Sequence, residues 1–419
     1  MIGGRGVLAL RGGTPVVQTP ERRLMLVGAR ARRAVSRHLA ASSSDALLLS
    51  DHEGTGVVAE FERAFCDAVG AKHAVASASG TGALISILRA MGVAAGDEVI
   101  VSSYGWGSTV GAVLAVGATP RFADIDATTA CIDVTSTIQM INARTRVILA
   151  THMFGNPADV HALEGVASAH GVRLVFDAAQ AMGASVNMQL MGTFGDAVAW
   201  SCGRYKLPYA GEGGVVTTND HSIADKLVVV SQHPSRARRE VLDPELRPLI
   251  DEMTLSLRMH PLAAVLGSAG LEDVPELIAN RRCACDVMRS RLEDHEAVSV
   301  IAANEPAISA WYSFPLTIPE GGWSGIPGAV IAAALRAEGV PIESGPVRIP
   351  LHARPRWAGA HVTPTLAVSE RRCREEYVIA SATRWLNVPT RRLQEIGDAF
   401  ERVFSNLASL EGATAWRTS

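Results

Sequence analysis

Between residues 57 and 230, short apolar runs alternate with stretches of helical period. Val57–Val69 predicts a helix, and His73–Ala76 predicts a short buried strand. The turn Ser79-Gly80-Thr81-Gly82 leads into a helix expected over Ala83–Met91. Further strands are expected at Glu98–Val101, Pro120–Ala123, Val147–Ala150, Arg173–Phe176, Ala197–Ser201 and Gly214–Thr217. Helices are expected at Thr109–Val116, Val160–Ala169 and Ser222–Val230, and an Arg-rich helical patch at Arg30–Leu39. Short apolar strands separated by helices predict an α/β fold with a mostly parallel sheet covered on both faces.

After Ile250 the pattern changes. Pro261–Leu292 reads as one long helix or a kinked pair. Strands at Val298–Ala302 and Ala310–Thr317, then helices at Ala329–Glu338 and Leu393–Leu410, predict a smaller C-terminal α+β domain. The expected division is a large domain over residues 1–255, with the N-terminal segment, and a small one over residues 256–419.

Composition narrows the function class. At 419 residues the chain is long enough for two domains, and 48% hydrophobic against 19% charged residues exclude disorder. A net charge of −3 argues against nucleic acid or an anionic membrane as the main partner. The apolar stretch Val110–Thr119 is broken by Gly111 and Gly117, and no run reaches the roughly 18 residues of a spanning helix. The opening MIGGRGVLALRGGTP does not read as a signal peptide, so a cytoplasmic protein is expected. The six cysteines form no C-x-x-C pair and no zinc spacing, which predicts free thiols and no metal site. Of 39 basic residues only Lys72, Lys206 and Lys226 are lysines. Codon bias accounts for the skew, yet it confines any lysine chemistry to three positions.

Four features carry candidate chemistry. Ser79-Gly80-Thr81-Gly82 reads either as an anion site at a helix N-terminus or as a plain capped turn. Asp177 follows an apolar strand, at the edge where parallel sheets bind ligands; it reads as a partner for a cationic ring nitrogen or as a helix cap. Lys206 lies between a strand and Gly211-Glu212-Gly213-Gly214, where a desolvated amine becomes a better nucleophile and base. Trp106, after the strand ending at Val101, is a stacking platform or a core residue. Together these are the parts that bind pyridoxal phosphate. A dinucleotide-binding reading fails, because Ile85 stands where G-x-G-x-x-G requires its third glycine.

At these residues the chain resembles the DegT/DnrJ/EryC1/StrS family of pyridoxal-phosphate aminotransferases. The likeness begins at Leu8–Val16, similar to an opening of the cyclitol and aminohydroxybenzoate branches. It continues through Phe61-Glu62, Ser79-Gly80-Thr81, Gly117–Pro120, Asp124-Ile125-Asp126 and Phe154–Asp159. Asp177-Ala178-Ala179-Gln180-Ala181 with Lys206 and Gly211–Gly214 is the strongest block, and Arg258-Met259 and Pro350-Leu351-His352 follow. The resemblance implies fold type I, with a seven-stranded mostly parallel sheet, and a homodimer with a shared active site. It makes Lys206 the Schiff-base lysine and Asp177 the partner of the pyridinium nitrogen. Gln180 would bond the ring's phenolic oxygen, Trp106 would stack on the ring, and Gly80, Thr81 and Ser201 would hold the phosphate. Ser256 stands where the family has an Asn donated across the dimer to the phosphate, and Met182 where a His is common. Arg258 and Arg348 are candidate contacts for a substrate anion.

The implied reaction is transfer of an amino group from L-glutamate or L-glutamine to a keto-sugar nucleotide or keto-cyclitol, in secondary-metabolite biosynthesis. The alternative is a pyridoxal-phosphate lyase or dehydratase, such as an aminohydroxybenzoate-synthase-like enzyme.

Overall fold

In a computed structural model of the chain, the seven apolar runs expected between residues 73 and 217 form the strands of one sheet. The structure describes residues 6–21, 27–252, 254–296, 298–303, 305–317, 326–356, 365–375, 377–379 and 388–411. The strands of the first half are β1 (His73–Ser77), β2 (Glu98–Ser102), β3 (Thr119–Ala123), β4 (Thr145–Thr151) and β5 (Arg173–Asp177). After them come a short hairpin of β6 (Ser185–Val186) and β7 (Gln189–Leu190), then β8 (Ala197–Ser201) and β9 (Gly214–Thr218). The large sheet has the order β1-β9-β8-β5-β4-β2-β3. Only β9 runs against its neighbours, pairing antiparallel with both β1 and β8. Strands β2 and β4 are buried along nearly their whole length, which is why they read as continuous apolar runs and not as alternations.

The helices of this half are α1 (Ala29–Ser42), α2 (Gly56–Val69), α3 (Gly80–Ala90), α4 (Gly107–Ala115), α5 (Val134–Met140), α6 (Val160–His170), α7 (His221–Ser231) and α8 (Pro234–Glu240). Their ends follow local chemistry. Ser79, Asp133, Asp159 and Asp220 accept first-turn N–H groups of α3, α5, α6 and α7. Gly70 and Gly171 close α2 and α6 with φ of 75° and 63°, a left-handed conformation that a side chain would strain. Capping by Ser79 starts α3 at Gly80, three residues before the expected start.

The expected long helix after Pro261 is a pair, α9 (Pro261–Leu271) and α10 (Val274–Leu292). The break falls at Glu272-Asp273, and Pro275, which lacks an N–H, is the second residue of α10, where no preceding turn needs one. The remaining elements are β10 (Ser299–Val300), β11 (Ala307–Ile308), β12 (Phe314–Thr317), α11 (Gly328–Ala337), β13 (Ile342–Ser344), α12 (Ala367–Glu375), β14 (Tyr377–Ile379) and α13 (Thr390–Phe404). The two strands expected here are thus shorter than predicted, and the closing helix ends at Phe404, with a 3-10 turn over Leu407–Leu410.

The chain divides into two compact units. One holds residues 25–275 and 303–310; the other holds residues 1–24, 276–302 and 311–419. In the first, β11 pairs with β6 as the third strand of the small sheet. In the second, an antiparallel sheet of order β10-β12-β14-β13 shares a core with α11 and α13 through Phe314, Leu316, Ile331, Ile396 and Phe400. This differs from the expected boundary in two places. Residues 256–275 pack with the large unit, and the N-terminal segment packs with the small one. The second difference has a clear cause. Ala9 and Val16 N–H donate to the Glu338 carboxylate, and Gln18 and Thr19 N–H donate to Glu395.

Among the described residues no helix is long and apolar enough to cross a membrane, and no group of three or more His, Cys, Asp or Glu is placed to hold a metal.

Candidate active site

The carboxyl edge of the large sheet gathers most of the candidate residues. Ser77 at the end of β1 and Ser201 at the end of β8 are both in register with Gly214 at the start of β9. The turn after β1 therefore crosses over β9 toward Ser201. Glycines make this close approach possible. A Cβ at Gly214 would lie 2.4 Å from the backbone of Ser79, and one at Gly80 would lie 2.9 Å from Cβ of Ser201. Ser79 Oγ accepts the Gly82 N–H at 3.0 Å, so the serine is the helix cap. Capping and anion binding do not compete here. The N–H groups of Gly80 and Thr81 open the helix, where no earlier turn supplies a carbonyl; both residues are half-buried, and Gly80 lies beside the Ser201 hydroxyl.

Asp177 ends β5 and is 7% exposed. It is not a helix cap, because no α-helix follows it. Its Oδ1 accepts the Ala179 N–H at 3.1 Å, and its Oδ2 accepts the Thr109 hydroxyl at 3.1 Å. Burial pushes the carboxyl above its ordinary value; the Ala179 N–H, the charge of Lys206 and the Thr109 hydroxyl pull it back. The main chain at this point is held by the adjacent strand, since the His152 N–H donates to the Asp177 carbonyl at 3.0 Å. The His152 ring is fully buried, stacks on Phe176 with centroids 4.7 Å apart, and accepts the Ala158 N–H on Nδ1. That bond places its proton on Nε2, and burial pushes its pKa down to about 3, so it is neutral.

Lys206 lies in the loop joining β8 to β9. The loop closes on itself: Cys202 N–H donates to Gly213, Ala210 N–H to Cys202, and Lys206 N–H to Gly203 at 3.1 Å. Tyr205, just before the lysine, has a φ of 67°, and Arg204 lies over its ring at 4.6 Å. Burial pushes the Lys206 amine down to about 8, and the Asp177 charge opposes a larger drop.

Trp106 immediately precedes α4 and is 65% exposed, so the core alternative falls away. Gln180 Oε1 accepts the Phe154 N–H at 2.7 Å, which leaves its NH2 end as the donor. Ser256 is exposed, with a φ of 52°, a left-handed conformation in which Asn is favoured over most other residues. Arg258 donates to the Asp51 carbonyl at 3.1 Å, a backbone tie. Arg348 is an exposed residue of the other unit.

Two residues of this edge, Thr109 and His152, were not among the sequence candidates. The sequence pattern makes Thr109 a helix start, but α4 begins at Gly107 and turns the threonine toward β5. His152 follows β4 by one residue, and Thr151 pairs with Asp177. Strand-end position was the available signal for it.

The residues present fit pyridoxal phosphate. A buried carboxylate bonded by two neutral donors suits a cationic ring nitrogen. The glycine-lined helix start beside Ser201 suits a phosphate, and a half-buried lysine of lowered pKa suits covalent attachment.

Comparison with known proteins agrees with this chemistry. The profile of the DegT/DnrJ/EryC1/StrS aminotransferase family matches residues 49–388. GDP-perosamine synthase of Caulobacter vibrioides is 36% identical over 224 residues, 54% of this chain and 58% of that protein. L-glutamine:2-deoxy-scyllo-inosose aminotransferase of Streptomyces lividus is 32% identical over 286 residues, 66% of each chain. The alignments thus span less than two thirds of these relatives. The solved aminotransferase of Psychrobacter cryohalolentis superposes with a TM-score of 0.80 over 93% of this chain and 99% of its own, at 24% identity. The solved E. coli GDP-4-keto-6-deoxy-D-mannose-3-dehydratase, which superposes with a TM-score of 0.74 over 91% of this chain and 100% of its own at 19% identity, holds bound hydrated PLP. The chain belongs to the DegT/DnrJ/EryC1/StrS aminotransferase family.

Proposed function

We propose that the protein is a pyridoxal-phosphate aminotransferase that moves an amino group from L-glutamate or L-glutamine to a keto-sugar nucleotide or keto-cyclitol. The observation that supports this most is Lys206, lowered to about 8, within the field of the buried Asp177. The names of the relatives, a GDP-perosamine synthase and an L-glutamine-dependent cyclitol aminotransferase, support the donor and acceptor classes.

When bound, the cofactor acts as an electron sink that acidifies the C–H bond beside the amino group it carries. The protein's part is binding, orientation and proton handling. Gly80 and Thr81 N–H groups and the Ser201 hydroxyl bind the phosphate. The Asp177 carboxylate pairs with the ring nitrogen and keeps its proton in place. Gln180 donates its NH2 to the ring oxygen, and Trp106 covers one ring face. Lys206 Nζ would hold the cofactor; once released, it would take the proton from the donor's α-carbon and deliver it to the cofactor carbon bonded to the same nitrogen, and would move a proton the opposite way for the acceptor. A pKa of about 8 suits both directions near neutral pH. Ser256 is assigned to the phosphate, and Arg258 and Arg348 are kept as candidate contacts for a substrate anion. In this reading the enzyme works in the cytoplasm as a homodimer, on small molecules of secondary metabolism.

The test is transfer of labelled nitrogen from L-glutamine and L-glutamate, each labelled at the α-amino group, to a panel of keto-sugar nucleotides and keto-cyclitols, read by mass spectrometry. Labelled amine in a product is the expected outcome. Loss of water from the acceptor without label would overturn it in favour of the lyase or dehydratase.

A further inference from the structure

Resting on this reading, we infer that Thr109 is a positioning residue, whose hydroxyl orients the Asp177 carboxylate and keeps it ionised. The two oxygens of Asp177 are held differently. Oδ1 takes a backbone N–H from its own turn, at Ala179, which fixes one oxygen but leaves the carboxyl group to swing about it. Oδ2 takes the Thr109 hydroxyl, 68 residues away in sequence and 4% exposed. Threonine has one hydroxyl proton, and at this depth no solvent competes for it, so the carboxylate is its acceptor. A hydroxyl given to a carboxylate stabilises the charged form and opposes the effect of burial.

The same helical turn holds the proposed ring platform. Trp106 directly precedes α4, Thr109 is the third residue of the helix, and the Thr109 N–H donates to the Trp106 carbonyl at 3.2 Å. One turn of backbone thus sets both the aromatic side chain and the second oxygen of Asp177. A β-branched side chain serves this better than serine, because its χ1 is restricted and its methyl group packs in the core.

The experiment is a pH titration of the Asp177 carboxyl in cofactor-free protein, by infrared difference against Asp177→Asn. The charged side chain acting on this carboxyl is Lys206, which is unchanged in every variant compared. Thr109→Val keeps the shape and removes the donor. Its midpoint should rise by about one pH unit, a tenfold gain in proton affinity. Thr109→Ser should bring the midpoint back to within about 0.3 units of wild type, since it keeps the charge-stabilising donor. With pyridoxal phosphate added, Thr109→Val should bind it several-fold more weakly, and Thr109→Ser should not. An unchanged midpoint in folded Thr109→Val, or a Thr109→Ser midpoint shifted as far as that of Val, would overturn the inference. If Thr109→Val does not fold, Thr109→Ala carries the same test. Wild-type protein that takes up no pyridoxal phosphate would defeat the functional reading instead, and the cofactor-free titration would still decide the role of Thr109.

Discussion

Glu62 and Asp177 are buried carboxylates of the same unit, each 7% exposed, and the protein neutralises them in opposite ways. Glu62 takes two hydrogen bonds from the Arg236 guanidinium, at 2.9 and 2.8 Å, and the Ala76 N–H at 2.7 Å. Burial alone would lower Arg236, but the charges and hydrogen bonds of Glu62 and Glu240 outweigh it and hold the guanidinium above its ordinary value. Gln232 adds a bond to the Ala76 carbonyl at 3.1 Å. The N–H and C=O of Ala76 face the open side of edge strand β1, so this cluster satisfies backbone that no neighbouring strand reaches. Asp177 has two neutral donors and an amine whose own pKa is about 8. A buried charge paired with a permanently charged guanidinium serves the fold; one whose cation is an amine of lowered pKa is placed to serve a ligand.

The largest effect should come from the cation that Asp177 does have. Lys206→Ala should lower transamination on the order of 10⁴-fold or more, with an unchanged circular-dichroism spectrum. Retained turnover would remove the lysine from the chemistry.

Next come the two carboxylates. Glu62→Gln leaves Arg236 buried with too little negative charge and should destabilise by about 3–5 kcal/mol in urea unfolding, while the folded fraction keeps its turnover. Asp177→Asn should do the reverse, with stability held to within about 1 kcal/mol and turnover lowered roughly 10²- to 10⁴-fold. Equal stability losses in both would erase the contrast.

His152 tests the same edge by pH. Its folded pKa of about 3 lies below the unfolded value of 6.5, so the unfolded chain binds the extra proton between these values. The stability it contributes is present above pH 6.5 and is lost as pH falls toward 3. At pH 5 the loss should be about 2 kcal/mol relative to pH 7. His152→Phe keeps the ring stack, removes the titration and should flatten that part of the acid dependence, as read from urea midpoints at the two pH values.

The smallest effect concerns Lys206 itself. Its reaction with an amine-selective reagent in cofactor-free protein should rise through about pH 8, as Nζ loses its proton. Asp177 raises that value, so Asp177→Asn should move the midpoint lower, by about one unit or less. A midpoint moved upward would mean that the carboxylate does not act on the amine.

Much of this edge was legible in the sequence, because parallel strands advertise themselves as apolar runs and their carboxyl ends collect ligands. Asp177, Ser201 and Lys206 each follow or end such a run, and Gly80 opens the helix after one. Thr109 shows in the sequence only as a helix residue, because its meaning depends on α4 starting two residues earlier and turning it toward β5. His152 matters only through the register of β4 with β5, which no local pattern encodes. No local pattern shows which domain the N-terminal segment packs with. Its carboxylate partners, Glu338 and Glu395, lie more than 300 residues away. Strands β6, β7, β10 and β11 have two residues each, too few for an alternation to show.

The scarcity of lysine makes the central claim easy to test. Protein incubated with pyridoxal phosphate is reduced with borohydride, digested and mapped by mass spectrometry. The account predicts one modified peptide, carrying the cofactor on Lys206, and none in Lys206→Ala. A cofactor fixed to Lys72 or Lys226, or to no lysine, would contradict it.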